Sequence, residues 1–315
     1  MKNLLLTSTI IVSLLAASCK KEEPQPEPVP TTSNLGGLFD QNVTDAKQNF
    51  TINASIYNEI IGDNGVKIMV PANSFEDANG NIVSGNVTLE LIEVLDQTSM
   101  IMMNKPTTSN GGILVSGGQI KLTASQSGSQ LFLADNAYLD VMVPTTNADP
   151  NMLLFDGTED SNGDVDWILS TDDTTGYADS TIIVTDSTFL GSSDYYWFSW
   201  TDSTMGWINC DYFYYDSNPL TNVYCDLEAQ YDYTNTACFI HFSNINSLAS
   251  LYWSGTNFSS TGIPETTVAT IVCISEISGN YFSAFVPITV TTNLTVNPTM
   301  SATTLSAFEA EVDNL

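Results

Sequence analysis

The body of this chain alternates apolar and polar residues with a period of two, and this pattern restricts its fold more than any other feature. The alternation is clearest in NVTLEL (residues 86–91), QIKLTA (119–124) and YLDVMVP (138–144). Successive side chains of a strand point to opposite faces, so the pattern predicts strands with one buried face. No stretch of residues 45–300 has a convincing helical period. The body is therefore predicted to be all-β.

Four Asn-Gly dipeptides lie near the alternating runs, and they begin at Asn64, Asn79, Asn110 and Asn162. Both residues of such a pair can take the positive φ angles of a type I′ turn, which joins two antiparallel strands. Short strands joined by such turns are typical of β-sandwiches.

Residues 1–19 resemble a targeting segment. Lys2 precedes an apolar run, residues 4–17, which is too short to span a bilayer as a helix and is predicted to be cleaved. LAASC (residues 15–19) resembles the lipobox of bacterial lipoproteins. That resemblance implies that Cys19 becomes the N-terminus and carries palmitate-like acyl chains that anchor the protein to a membrane. The alternative is an ordinary secretory signal with an incidental cysteine.

The residues after Cys19 predict a tether. Lys20 occupies the position where Asp would hold a lipoprotein in the inner membrane of enteric bacteria, and KEE (residues 21–23) resembles the tag of Bacteroidota lipoproteins sent to the cell exterior. Prolines alternate over residues 24–30, which favours an extended polyproline II stalk. We therefore expect a lipid-anchored protein of the outer membrane, facing the cell exterior.

The charge of the chain excludes one class of partner. Seven lysines, with no arginine, stand against 36 acidic residues, and the formal net charge is −29. Such a surface repels nucleic acid and attracts cations. Because no cationic surface exists to displace counterions from phosphates, we exclude nucleic acid as a partner.

Besides Cys19, four cysteines could form disulfide bonds in an exported chain: Cys210, Cys225, Cys238 and Cys273. Four cysteines allow three pairings, between which the spacing does not decide. The alternative is four buried thiols on strands. A zinc site is not expected, because the chain has no C-x-x-C pair and only one histidine, His241.

Three segments resemble a known module. These are GVKIMVPANSFEDANGNIVSGNVTLELIEV (residues 65–94), MIMMNKPTTSNGGILVSGGQIKLTA (100–124) and MGWINCDYF (205–213). They resemble a module that recurs in surface lipoproteins of Bacteroidota and, more distantly, the ZU-five β-sandwich of ankyrins and netrin receptors. Tyr212 stands where related chains often have arginine. The resemblance implies a fold and a location, and no activity.

The domain prediction combines these observations. We predict a lipoprotein signal peptide at 1–18, a lipidated Pro-rich tether at 19–36, a ZU-five-like β-sandwich at 37–200 and a second, Ig-like β-sandwich at 201–315. A short helix is predicted to close the chain, because roughly helical spacing relates Leu305, Phe308, Val312 and Leu315.

His241 begins the tripeptide His-Phe-Ser, at which some ZU-five proteins cleave themselves. The tripeptide lies too far from the first strand of the module to occupy the same structural position. We therefore predict a histidine on a strand face, alternating with Ala237 and Phe239.

Residues 195–215 include ten aromatic residues. If they are exposed, Trp197, Trp200, Trp207 and Tyr212 could stack on sugar rings beside Asp side chains, which would form a glycan site. If they are buried, they form the core of a sandwich and the contact between two sandwiches, and this interpretation is favoured.

An acidic turn could bind calcium through Asp156, Asp160 and Asp164. The spacing does not fit an EF-hand, because Thr158 and Leu169 would occupy its first and last ligand positions. The simpler interpretation is a solvated acidic hairpin, and no cofactor other than Ca²⁺ is expected.

The function expected from these features is that of a non-catalytic, surface-exposed module that is structural or binds a protein partner. A first alternative is glycan binding by the aromatic and Asp residues. A second is a glycosidase that uses two carboxylates, although the sequence singles out no such pair.

Overall fold

The computed structural model describes residues 35–159, 163–171, 179–186 and 193–315. Across these residues the chain is all-β and sandwich-like, as predicted, with three short helices. The helices are α1 (Leu35–Asp45), α2 (Gln97–Met102) and α3 (Leu305–Val312). None of them is long and apolar enough to cross a bilayer. The predicted signal peptide, Cys19 and most of the tether lie outside the described residues.

The strands of the N-terminal part are β1 (Gln48–Asn53), β2 (Asn58–Ile61), β3 (Lys67–Val70), β4 (Phe75–Glu76), β5 (Asn86–Val94), β6 (Thr108–Ser109), β7 (Gly112–Gln126), β8 (Ser129–Leu133), β9 (Leu139–Thr145), β10 (Leu153–Glu159), β11 (Val165–Leu169), β12 (Ile182–Asp186), β13 (Ser193–Trp200) and β14 (Trp207–Phe213).

The strands of the C-terminal part are β15 (Leu220–Cys225), β16 (Thr236–Phe242), β17 (Leu248–Trp253), β18 (Phe258–Pro264), β19 (Val268–Ile277), β20 (Asn280–Thr289), β21 (Leu294–Val296) and β22 (Ser301–Thr303).

The first sandwich consists of two sheets. One has the strand order β1-β5-β7-β14-β10-β11, with β4, β6 and β8 attached beside this path, and the other has the order β12-β13-β9-β3-β2. The alternation that predicted β5 and β9 is confirmed, since Leu89, Leu91 and Val141 are fully buried. They share one apolar core with Phe198 and Trp200 of β13.

The predicted boundary between residues 200 and 201 is wrong. β14 pairs antiparallel with β7 on one side and with β10 on the other, inside the first sandwich. A strand in that position cannot belong to a following domain, because its backbone hydrogen bonds complete the first sheet. The second sandwich therefore begins after Phe213. The start of the first was also misplaced, because α1 covers residues predicted as the end of the tether and the first residues of the sandwich.

The second sandwich is one sheet that folds over on itself, with the order β21-β15-β18-β17-β16-β19-β20-β22. Val223 and Cys225 of β15 share an apolar core with Ile271 and Cys273 of β19. Three strands separate β15 from β19 in the sheet. Their side chains can meet only because the sheet bends until its two halves face each other.

A third apolar core, here called the seam core, joins the two sandwiches. Its members are Leu35 of α1, Ile92 and Val94 of β5, Met100 and Ile101 of α2, Leu114 of β7, Phe155, Val165, Trp167 and Trp207 of β10, β11 and β14, Phe239, Leu248, Val272 and Ile274 of the second sandwich, and Phe308 and Val312 of α3. Trp167 and Trp207 meet edge to face with ring centroids 6.4 Å apart, a geometry that aromatic pairs prefer. The described residues accordingly belong to one compact unit.

The closing helix is confirmed. Phe308 and Val312 are buried in the seam core, and the Thr304 side chain caps the first turn by accepting a hydrogen bond from the Ala307 N–H. The helices α1 and α2 were not predicted. The six residues of α2 are too few to show a period, and it is instead defined by a capping box between Asp96 and Ser99.

The Asn-Gly turns are confirmed in part. Gly65, Gly80, Gly111 and Gly163 all have positive φ angles between 78° and 95°. A type I′ turn also needs a positive φ at the preceding residue. Asn110 has one, at 48°, and it joins β6 to β7 as predicted. Asn64 and Asn79 do not, and Asn162 lies outside the described residues.

Candidate functional site

The predicted glycan-binding surface does not form. Trp200 and Trp207 are only 4% and 3% exposed. They lie in different cores, since Trp200 is in the core of the first sandwich and Trp207 is in the seam core. Trp197 and Tyr212 are half-buried. The favoured interpretation of residues 195–215, a core and a contact between sandwiches, describes Trp200 and Trp207 correctly.

The described residues lend no support to a calcium site formed by the three predicted acids. Asp156 lies on β10, where burial raises the pKa of its carboxyl group. Asp164 lies before β11 and accepts a hydrogen bond of 2.8 Å from the Asn104 amide, whereas Asp160 falls in a gap of the described chain. Within the described ranges, one group of potential metal ligands lies within coordinating distance, and it consists of cysteines.

The four cysteines beyond the tether are free, buried thiols, and none of them is in a disulfide bond. The alternative prediction, thiols on strands, is therefore the correct one. Cys210 of β14 lies alone in the core of the first sandwich. Cys225, Cys238 and Cys273 meet in the core of the second sandwich, with all three sulfur atoms within 4.8 Å of one another.

His241 lies on β16 opposite Leu248 and Thr270 and is buried. It occupies the same strand face as Ala237 and Phe239, at every second position, as predicted. Burial lowers the pKa of its imidazole, so the ring is held neutral. Its Nδ1 atom has no hydrogen-bond partner.

The motif GWINCDYF has a structural role at the pairing of β14 with β7, where the register shifts between Asn209 and Asp211. The Asn209 amide donates to Asp211 Oδ2 at 2.6 Å, and the Ser116 hydroxyl donates to Asn209 Oδ1 at 3.0 Å. Burial raises the pKa of Asp211 well above its usual value. The carboxyl group is therefore held neutral within the bulge.

A concave site of about 820 Å³ lies beside the seam core and is here called the cleft. α1 and residues 103–106 line it from the side of the first sandwich. Residues 233–239 and 250–253 line it from the second. Neither group of residues is close to the other in sequence, so only the packing of the two sandwiches forms this site.

Aromatic rings line the second-sandwich side of the cleft. The rings of Tyr233 and Trp253 lie 6.3 Å apart and are tilted by 35°, and Phe258 packs edge-on against Trp253 at 5.1 Å. Tyr233 is 68% exposed and Trp253 is half-buried. Exposed ring faces in a concave site bind apolar faces of ligands.

Two lysines and one glutamate of the cleft lining form a connected group. Lys121 donates to Glu159 Oε2, Lys105 Nζ lies 3.8 Å from Glu159 Oε1, and Lys105 also donates to the Gly163 carbonyl. Each lysine Nζ lies 5.5 Å from the ring of Trp207, within the range of a cation–π contact. The Trp207 indole N–H donates to Glu159 Oε2 at 3.2 Å. The Glu159 carboxylate thus interacts with the ammonium groups of both lysines and with the Trp207 indole.

Burial and charge shift the pKa values of this group in identifiable directions. Burial lowers the pKa of Lys105 although the charges of Glu159 and Asp164 oppose the shift. Burial alone would raise the pKa of Glu159, but the hydrogen bond and charge of Lys121 and the charge of Lys105 lower it. Glu159 therefore stays ionised.

The lining of the cleft has no net formal charge. Lys47, Lys105 and Lys121 line it together with the same number of carboxylates, Asp40, Glu159 and Asp164. The described chain has one further lysine, Lys67, and the whole chain has a net charge of −29. The cleft is thus a neutral region on a strongly acidic protein.

The sequence did not point to the cleft, because its aromatic residues are dispersed. YDYTN (residues 231–235) and LYWSGTNF (251–258) each place aromatics beside turn residues, and that combination was the available signal. The scarcity of lysine was a second signal, since it makes each described lysine informative. Compared with protein-family models, with curated proteins and with solved structures, the chain has no match.

Proposed function

We propose that this chain is a non-catalytic binding protein that holds a neutral glycan in the cleft. The observation that carries the proposal is the pair of rings, Tyr233 and Trp253, on the wall of a concave site without net charge. This places glycan binding at a different surface from the one expected from residues 195–215.

The ring pair supports a ligand with apolar faces. A sugar ring presents C–H groups on one face and hydroxyl groups at its edge, so it can stack on an aromatic ring and still form hydrogen bonds. Asp40 lines the same cleft and has carboxylate oxygen atoms that can accept hydrogen bonds from such hydroxyl groups. Aromatic and hydrogen-bonding groups therefore occur together.

The charges support a ligand that is neutral. An anionic ligand would need lysines free to bind it, but Lys105 and Lys121 are both held by Glu159, and Lys47 lies 3.1 Å from Glu90. A cationic ligand would find two of the three carboxylates of the lining, Glu159 and Asp164, already hydrogen-bonded, which would leave it Asp40. A neutral polyhydroxylated ligand disturbs none of these pairs.

A glycosidase is the less favourable interpretation. Its general acid must be protonated near the working pH, which requires a carboxyl group with a raised pKa. Glu159 has a lowered pKa. Asp156 and Asp211 have raised values, but neither lines the cleft.

The cellular location belongs to the same proposal and rests on the sequence. The apolar run before Cys19, the small residues at 16–18 and the Pro-rich stretch at 24–30 support a lipid-anchored outer-membrane protein of a Bacteroidota bacterium, with its folded part facing the cell exterior. Cys19→Ala is expected to abolish incorporation of radioactive palmitate, and labelling of that variant would contradict the lipid anchor.

Glycan binding is tested with the full chain in detergent on an array of neutral oligosaccharides, followed by calorimetric titration of any hit. Tyr233→Ala and Trp253→Ala are each expected to lower the affinity about tenfold, since a lost ring contact is worth roughly 1–2 kcal/mol. Tyr215→Ala is the matched control, because Tyr215 is 89% exposed and lies outside the cleft. Equal losses in all three variants, or no hit on the array, would contradict the proposal.

A further inference from the structure

Three cysteine side chains from distant parts of the second sandwich meet at one point. Cys238 of β16 lies directly opposite Cys273 of β19 in the antiparallel register. Cys225 comes from β15, in the half of the sheet that folds over them. The Cys225 and Cys273 sulfur atoms are 3.7 Å apart, and all three sulfurs lie within 4.8 Å of one another.

These distances are close to those of a metal site. Three sulfurs that each bind one ion at about 2.3 Å lie roughly 4 Å from one another. The three cysteines therefore need only small side-chain rotations to coordinate one ion. Cys210, by contrast, is a buried thiol that belongs to no group of three potential metal ligands within the described ranges.

We propose that Cys225, Cys238 and Cys273 bind one thiophilic d¹⁰ metal ion, Cu(I) or Zn(II). Thiolates are soft ligands that select such ions over calcium or magnesium. No histidine or carboxylate joins the three cysteines among the residues that the structure describes. Cu(I) is satisfied by three thiolates, whereas Zn(II) would take a fourth ligand from solvent. Both ions would bind to the same three thiolate ligands.

The cleft provides a path to the cluster. The pair formed by Cys238 and Leu251 is the last one of the β16–β17 ladder on this side, and both residues line the cleft. β17 continues from there along β18 through Tyr252 and Trp253, so the two strands separate at Cys238. An ion that enters from the cleft would therefore meet the cluster at Cys238, whose side chain is 2% exposed, after a local opening of these strand ends.

Metal binding depends on pH because thiolates, and not thiols, are the ligands. Binding therefore displaces protons from the cysteines, and the affinity is expected to rise with pH.

The test uses the full chain, purified in detergent under anaerobic conditions and stripped of metal. Cu(I) and Zn(II) are titrated separately against chromophoric chelators, with metal content and sulfur-to-metal charge-transfer absorption as readouts. We expect one ion per chain for at least one metal in the wild-type protein, a tighter complex at higher pH, and a higher thermal unfolding midpoint with bound metal. Cys210→Ser, the matched control, is expected to behave like wild type.

Cys238→Ser and Cys225→Ser are each expected to abolish the charge-transfer absorption and the metal-induced shift in unfolding midpoint. If a serine variant does not fold, the wild-type stoichiometry and absorption still decide the matter. Three results would overturn the proposal: no bound ion in the wild-type protein, unchanged binding in a folded Cys238→Ser variant, or a disulfide within the cluster of the protein isolated from the cell, shown by mass spectrometry. Retention of Cu(I) or of Zn(II) identifies which ion the site holds.

Discussion

Replacing Glu159 by glutamine removes the one carboxylate that serves Lys105 and Lys121. The Lys105 side chain is 3% exposed, whereas those of Lys121 and Glu159 are 25% and 27% exposed. Without Glu159, the buried ammonium of Lys105 would lose the largest of the carboxylate interactions that favour its charged form. Glutamine keeps the size of the side chain, so the change removes the charge and leaves the packing in place.

The magnitude follows from this burial. Removal of one partner of a buried ion pair costs about 3–5 kcal/mol, and solvent near Glu159 and Lys121 reduces the expected loss in free energy of unfolding to about 2–3 kcal/mol. Glu90→Gln is the matched control. The Lys47–Glu90 pair has a separation of 3.1 Å, and its side chains are 36% and 28% exposed. Such a pair is worth less than about 1 kcal/mol.

The pH dependence provides a second readout. Glu159 has a lowered pKa in the folded state, so its stabilisation is present above its unfolded value and is lost as the pH falls through the folded value. Lys105 also has a lowered pKa. Folded protein therefore binds fewer protons than unfolded protein just below the ordinary lysine pKa of about 10.4, and stability rises with pH there. In Glu159→Gln this rise in stability begins at a lower pH. The difference in free energy of unfolding between the wild-type protein and the variant should therefore be smaller at acidic and at alkaline pH than at neutral pH.

The assay is urea unfolding followed by tryptophan fluorescence and circular dichroism, at several pH values. Lys105→Met combined with Glu159→Gln completes a double-mutant cycle, in which the second change should cost much less than it does alone because no buried charge remains. The reasoning would be refuted if Glu159→Gln lost no more than Glu90→Gln, if its deficit grew as the pH rose from neutral towards about 10, or if the losses in the cycle were additive.

Two further predictions concern the cores. Phe308→Ala should lower the free energy of unfolding by about 3–5 kcal/mol, because Phe308 is 1% exposed in the seam core. Leu315→Ala is the control, at a residue 44% exposed, and it should cost less than about 0.5 kcal/mol. Equal losses of the two variants in urea unfolding would contradict the anchoring of α3. Asp211 has a raised pKa in the folded protein, so above pH ~4 unfolding releases a proton and stability falls as pH rises. Asp211→Asn should remove that slope between pH 4 and 7, and parallel stability curves for the two proteins would contradict a neutral buried Asp211.

The fold class was predictable because it depends on local periodicity. The burial of Leu89 and Leu91 could be predicted because alternation alone decides which side of β5 they occupy. Strand order is not local. Trp200 and Trp207 are seven residues apart but lie in different cores, because the chain passes from the second sheet of the first sandwich to the other sheet between them. No alternation pattern contains that step, and the boundary at residue 200 was misplaced for the same reason.

The candidate site was less predictable still, because it depends on contacts between remote segments. Lys105 and Glu159 lie 54 positions apart, and Tyr233 and Trp253 meet only because their strands and loop converge beside the cleft. The thiol cluster also depends on contacts between remote segments. Cys238 and Cys273 are paired by the register of β16 with β19, whereas Cys225 joins them only through the bend of the whole sheet.

The cleft and the seam core share residues, and this has a consequence for binding. Trp207 belongs to the seam core, while its ring lies 5.5 Å from the Nζ atoms of Lys105 and Lys121, which line the cleft. Leu35 of α1 and Phe239 of β16 also belong to the seam core and line the cleft. Opening the cleft by moving one sandwich would therefore expose buried apolar surface, at roughly 25 cal/mol per Å². We accordingly expect a ligand to enter a preformed cleft, with adjustments confined to exposed side chains such as Tyr233 and Tyr252.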